Sequence, residues 1–172
     1  LPYAVRGPFS RCILADVGLD VPPIYGDPAW FLPRIHAAKV QKKAELGVVL
    51  HLSELAERSC DAVAKPQLKR CGLSEADASS IKIINTYHRP NYSSLTDKLD
   101  EILSCKRIVS TSFHGMMLAD AYRIPCAFFS PSEGGGTLVD PFDHHDTLNH
   151  RFADFYAGCS RKLVPVYRQR KN

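Results

Sequence analysis

The chain has 172 residues, of which 45% are hydrophobic and 23% charged, the composition of a globular domain long enough for one buried core. Lys and Arg total 22 against 18 Asp and Glu, and the one basic run is the terminal Arg168-Gln169-Arg170-Lys171, which argues against a nucleic-acid partner. No apolar stretch approaches the roughly 18 residues of a membrane span, and no secretory leader is expected within these residues.

Six cysteines (Cys12, Cys60, Cys71, Cys105, Cys126, Cys159) include no C-x-x-C pair, which excludes a zinc ribbon and a thioredoxin-type motif. Reduced thiols in a cytoplasmic protein are expected. The chain opens on Leu1 rather than Met, so it is read as a piece of a longer protein.

In chain order, Ile13, Leu14 and Val17 form a helical stripe over residues 8–17, with Gly18 as its stop. Residues 21–28 are an extended segment punctuated by Pro22, Pro23 and Pro28. The continuous apolar run 46–51 suits a strand buried on both faces. Residues 53–79, rich in Ala, Glu, Lys and Ser, predict helix interrupted at Pro66 and Gly72, and a second strand follows at 81–86.

Ser94 is predicted to open a helix with Asp97 as capping-box partner, and Leu95, Leu99, Ile102 and Leu103 form its buried stripe. A third strand over 107–110, a helix over 113–123 and a fourth strand over 126–129 come next. Residues 130–150 read as a long polar loop with a Gly134-Gly135-Gly136 hinge. Phe152, Phe155 and Tyr156 mark a last helix, and 160–172 reads as a basic tail. Strands alternating with helices predict a single α/β domain over 1–172, a Rossmann-like parallel sheet with helices on both faces.

In such a sheet ligands sit beyond the carboxyl ends of the strands, where helix amino termini favour anions. The segment Ser110-Thr111-Ser112-Phe113-His114-Gly115 has that form: hydroxyl residues after a strand, then an imidazole in the first turn of a helix. Arg6, before Gly7-Pro8, offers a planar fork for a carboxylate or phosphate. Asp27 caps a turn ahead of Trp30. His51 ends the first strand, and His88 and Arg89 follow the second, so these four are second-tier candidates. His36 is given no role. Residues 140–146 carry Asp and His side chains without the fixed spacing of a metal motif, so a polar capping loop and no metal are expected.

Taken in order, Val5-Arg-Gly-Pro-Phe-Ser10, Tyr25-Gly-Asp-Pro-Ala-Trp-Phe-Leu-Pro33, Ile108-Val-Ser-Thr-Ser-Phe-His-Gly115, Leu118-Ala-Asp-Ala-Tyr-Arg-Ile-Pro125 and Asp154-Phe-Tyr156 resemble the polysaccharide pyruvyl transferase family. The resemblance implies a two-lobed GT-B-like fold with its active site between the lobes, of which this chain holds the carboxyl-terminal lobe. It further implies transfer of the enolpyruvyl unit of phosphoenolpyruvate to two hydroxyls of a saccharide, giving a ketal and releasing phosphate, with no cofactor. The acceptor would be a bacterial exopolysaccharide or its lipid-linked precursor. That places the protein in the cytoplasm, associated peripherally with the inner face of the membrane.

By the resemblance, Arg6 binds the donor and His114 is the central histidine. Some relatives carry Arg where this chain has Ser112. Here the anion would be held by Ser110, Thr111, Ser112 and Gly115 with Arg6 or Arg89. Two alternatives stand beside this reading. One is a GT-B glycosyltransferase using a nucleotide sugar, which needs a base and ribose pocket that no residue marks. The other is a carbohydrate-binding lobe that is inactive alone.

Overall fold

The computed structural model describes residues 2–37, 39–143 and 148–170. In chain order its elements are α1 (Pro8–Asp16), α2 (Leu32–Ile35), β1 (Ala44–Val49), α3 (Glu75–Ala78), β2 (Ile81–Ile84), α4 (Tyr92–Leu103) and β3 (Cys105–Ser110). There follow α5 (Phe113–Ala121), β4 (Cys126–Ser130), β5 (Gly135–Val139), α6 (His150–Gly158) and β6 (Val164–Arg168). The chain divides into two compact units, one of residues up to 30 and 138–165, the other of residues 31–137 and 166 onward.

The second unit is an α/β unit around a mostly parallel six-stranded sheet in the order β2-β1-β3-β4-β6-β5. Strand β1 pairs in parallel with β2 on one side (Val49 opposite Ile84) and with β3 on the other (Val49 opposite Ser110). The chain steps out from β1 to β2, then returns through α4 to β3 on the far side of β1. The strand order therefore reverses between β1 and β3. Alternate side chains along each strand face opposite ways. Val49, Ile84 and Ile108 pack with Ile102 and Leu103 of α4 and Ala119 of α5. Val48, Leu50 and Phe129 pack with Leu55, Ala62, Leu68 and Cys71.

That second cover corrects one expectation. Residues 53–79 form helix only at Glu75–Ala78, with 3-10 turns at Leu52–Glu54 and Lys69–Cys71. Ala, Glu, Lys and Ser favour helix by composition, but no 3.6-residue apolar period runs through the segment. Tertiary hydrogen bonds hold it instead: the Asn85 amide nitrogen donates to the carbonyls of Ser59 (2.9 Å), Cys60 (3.2 Å) and Ala62 (3.0 Å).

Helix α4 begins at Tyr92, two residues before Ser94, because Asn91 is its cap and accepts from the Ser94 backbone N–H at 2.8 Å. The Ser94 hydroxyl instead accepts from the Arg89 N–H at 3.0 Å. Leu99, Ile102 and Leu103 are buried as the stripe requires. Two further differences lie near the carboxyl end. Residues 135–139 of the expected loop form β5, a short edge strand whose Gly-Gly start hides its pattern. Val164–Arg168, read as tail, forms β6 beside β4, with Phe128 opposite Val166 and Ser130 opposite Arg168. Its Val164-x-Val166 alternation is strand-like, but the basic residues around it mask the signal.

In the first unit α1 packs on α6, and Val21, Val139, Phe152, Phe155, Tyr156 and Val164 are buried. The Trp30 ring meets Phe155 at 5.5 Å between centroids. Gly18 ends the α1 segment at φ 82, the left-handed conformation in which a glycine costs least. No helix among the described residues is long and apolar enough to cross a membrane.

Candidate functional site

Open parallel sheets bind ligands beyond the carboxyl ends of the strands where the strand order reverses. Here that point lies between β1 and β3, so Leu50-His51 and Ser110-Thr111-Ser112 leave the sheet side by side. The Ser110 hydroxyl, fully buried, donates to the Ser112 carbonyl at 2.7 Å and accepts from the Ser112 N–H at 3.0 Å. The turn into α5 is thereby set from within. Ser112 caps α5, its hydroxyl facing the Gly115 N–H at 3.5 Å. A Cβ on Gly115 would lie 2.5 Å from Val49 Cγ1 and 2.6 Å from Ser110 Oγ, so only glycine lets the helix start sit this close to the sheet.

His114 follows Phe113 in that first turn. Phe113, Met116 and Met117 are buried while His114 is exposed, so the helix is anchored by its neighbours and the imidazole faces solvent. The Phe113 ring meets the imidazole edge-on at 5.2 Å.

On the β1 side, the His51 N–H donates to Thr111 Oγ1 at 2.8 Å, joining the two strand ends. His51 Nδ1 accepts from the Ser53 N–H at 3.2 Å, so the neutral ring carries its proton on Nε2. His51 and His114 are thus two exposed imidazoles on neighbouring strand ends. His88 and Arg89 are exposed beyond the end of β2, the next strand over; His88 Nδ1 lies 2.9 Å from the Arg89 carbonyl.

Beneath this edge lie two charged residues the sequence did not single out. Glu54 and Arg70 form a buried ion pair, Oε1 to Nη2 at 2.6 Å, and the Thr111 hydroxyl donates to Glu54 Oε2. Glu54 stands three residues after His51, the spacing of a capping box, and that signal was readable. Arg70 carries no local signal, because its partners are brought to it by the fold. Burial pushes the adjacent Cys71 thiol above its ordinary value, with Arg70 opposing, so this cysteine is a buried apolar residue rather than a nucleophile.

The other candidates belong to the first unit. Val5 and Tyr25 form a parallel bridge, with Val5 N–H to the Ile24 carbonyl and Gly26 N–H to the Val5 carbonyl, both 3.0 Å. That bridge sets Arg6 beside the turn where Asp27 accepts from the Ala29 N–H at 3.0 Å. Arg6 lines a depression of about 360 Å³ with Val5, Ser10, Ile13 and Leu14.

The amino terminus of α1 already holds an internal anion. Buried Asp154 of α6 accepts from the Phe9 N–H (2.8 Å), the Ser10 N–H (3.2 Å) and the Ser10 hydroxyl (2.5 Å). Gly7 is required there, since a Cβ would fall 1.8 Å from the Asp154 carbonyl oxygen. Asp154→Ala removes the cap and leaves half-buried donors of Phe9 and Ser10 unpaired, and is expected to lower stability by about 2 kcal/mol, read by urea unfolding. An unchanged midpoint would contradict the capping role.

Residues 144–146 of the 140–146 Asp/His stretch lie outside the described residues. Among the described residues no group of three or more His, Cys, Asp or Glu is placed to hold a metal ion.

A comparison with protein families decides what this arrangement belongs to: residues 2–133 match the model of the polysaccharide pyruvyl transferase family. The chain belongs to that family. The match covers most of the chain, including Arg6, Asp27, His51, Glu54, Arg70 and the Ser110–Gly115 turn, and it makes the protein a transferase of the polysaccharide pyruvyl type in general. No curated protein and no solved structure matches the chain significantly.

Proposed function

We propose that this protein transfers the enolpyruvyl unit of phosphoenolpyruvate to two hydroxyls of a saccharide, with His114 moving the proton. The observation that carries the reading is the exposed imidazole on the first turn of α5, at the strand-order reversal of a chain in this family. In the reaction, two sugar oxygens bond to the central carbon of the donor and its bond to the phosphate oxygen breaks. Of the two protons shed by the hydroxyls, one ends on the methylene carbon, making a methyl, and the other leaves with phosphate. A histidine exchanges protons near neutral pH and suits both transfers.

The donor is a compact, multiply charged anion. The start of α5 offers a helix dipole and backbone donors, with Thr111 beside them and Ser110, Ser112 and Gly115 shaping the turn. Arg6 supplies the fixed positive charge on the donor, and His51, His88, Arg89 and Asp27 are second-tier contacts. No cofactor or metal takes part. The acceptor is an exopolysaccharide or its lipid-linked precursor, which would bring the protein to the inner face of the membrane. The fold in this reading is the carboxyl-terminal lobe of a GT-B-like enzyme.

The test is incubation with phosphoenolpyruvate and saccharide acceptors, following phosphate release and the ketal methyl signal by proton NMR. Nucleoside diphosphates that shift the unfolding temperature where phosphoenolpyruvate does not would overturn the reading. Arg6→Ala is expected to weaken phosphoenolpyruvate binding by about tenfold, the loss of one charge-assisted contact. Arg107→Ala, on an exposed arginine of β3, is the control, and equal effects in a titration would remove Arg6 from the donor site.

A further inference from the structure

We infer that Glu54 and Arg70 are positioning residues of the site: their buried ion pair ties the strand ends that carry His51 and Thr111 and cancels a carboxylate charge beside the seat for the donor. The geometry stands by itself; the ligand in this inference rests on the pyruvyl-transfer reading.

The side chains of Arg70 and Glu54 are only 1% and 8% exposed. Glu54 Oε2 accepts the Thr111 O–H and, at 3.3 Å, the His51 N–H. On the other side, the Arg70 guanidinium carbon lies 4.2 Å from the centre of the Phe129 ring in β4, and Nη1 approaches the Gln169 carbonyl beyond β6 at 3.5 Å. One pair therefore touches the carboxyl ends of β1, β3, β4 and β6. Arg70 Nε is buried with no hydrogen-bond partner, so the guanidinium is not placed to maximise its own hydrogen bonds. Its charge is what the site uses.

A buried carboxylate without its cation is strongly unfavourable, and here it would also face an anion. An ordinary structural pair also suffers more from losing one charge than from losing both, but either single loss then only destabilises the fold. A pair that neutralises an anion seat shifts donor affinity in opposite directions according to which charge is lost. Arg70→Met leaves the carboxylate uncompensated and repels the donor; Glu54→Gln leaves the guanidinium uncompensated and attracts it. The double variant Glu54→Gln/Arg70→Met is neutral again and keeps an acceptor for Thr111 and His51.

The experiment uses the full chain above neutral pH with two readouts. Phosphoenolpyruvate titration is expected to show about tenfold weaker binding in Arg70→Met, binding tighter than the double variant in Glu54→Gln, and near-native binding in the double variant. Amide hydrogen exchange is expected to rise about tenfold at His51 and Thr111 in Arg70→Met, with the β1 amides unchanged, and to recover in the double variant. Native-like binding in Arg70→Met, or a double variant no better than it, overturns the inference. So does unchanged exchange at both amides.

If Arg70→Met does not fold, Glu54→Gln against the double variant decides, and equal affinities overturn the inference. If the native chain binds no phosphoenolpyruvate, the donor reading fails, and amide exchange alone settles the positioning role.

Discussion

His114→Ala is expected to reduce ketal formation by about 10²- to 10⁴-fold, the range for loss of a general acid–base group. The fold should survive. His114 is exposed, and α5 is held by Phe113, Met116, Met117 and Ala119, all buried. Its edge-on contact with the Phe113 ring is of a kind worth about 1 kcal/mol. The measurement pairs phosphate release with a thermal unfolding curve. Turnover retained in a folded variant removes His114 from the mechanism, and a lost fold would move its role to packing.

The second large effect is expected from the residue after it. Gly115→Ala sets a methyl 2.5 Å from Val49 Cγ1 and 2.6 Å from Ser110 Oγ. Neither neighbour can retreat cheaply: both are fully buried, and the Ser110 hydroxyl is committed to the turn into α5. Relief must come from the helix start, which moves outward and carries His114 with it. Overpacking of this kind costs about 1–3 kcal/mol, and a displacement of about 1 Å at a reacting group costs on the order of a hundredfold in rate. Urea unfolding and turnover of the same sample, at a temperature where the variant is folded, read both effects. Wild-type stability in Gly115→Ala would mean that α5 is not seated against β1 and β3 as described.

These two substitutions divide the site by the kind of information behind it. His114 stood out as a candidate in the sequence because its surroundings in the chain have the order of an anion site: strand, hydroxyls, imidazole, helix start. Gly115 was readable as part of that motif, but its reason was not. The close approach to Val49 exists only once β1 lies beside β3, and those residues are far apart in the chain. Ser110 differs again. As a hydroxyl at a strand end it looked like a ligand contact, whereas its hydrogen bonds turn inward and shape the loop.

The same division runs through the fold. Helices α4 and α6 were legible because a buried face imposes a period on their apolar residues, and β1 because its apolar run is continuous. The α1 stripe marked a helix but not a buried face, since Ile13 and Val17 are exposed, and α5 was marked by its capping hydroxyls. Segments with no period of their own were misread. The cover over residues 52–72 owes its path to Asn85 and to Glu54, and β6 owes its place to β4. Composition around these pieces pointed to helix and to tail, since propensity is weak where partners elsewhere in the chain supply the hydrogen bonds.

What the amino-acid order determined alone was therefore the alternation of strand and helix, the family, and the imidazole at the start of α5, all encoded in short-range pattern. Tertiary structure decided the strand order 2-1-3-4-6-5, the point between β1 and β3 where it reverses, and the burial of Arg70 against Glu54, residues 16 positions apart. A charge pair inside a protein is defined by its loss of water, and that loss arises only when distant segments close over it.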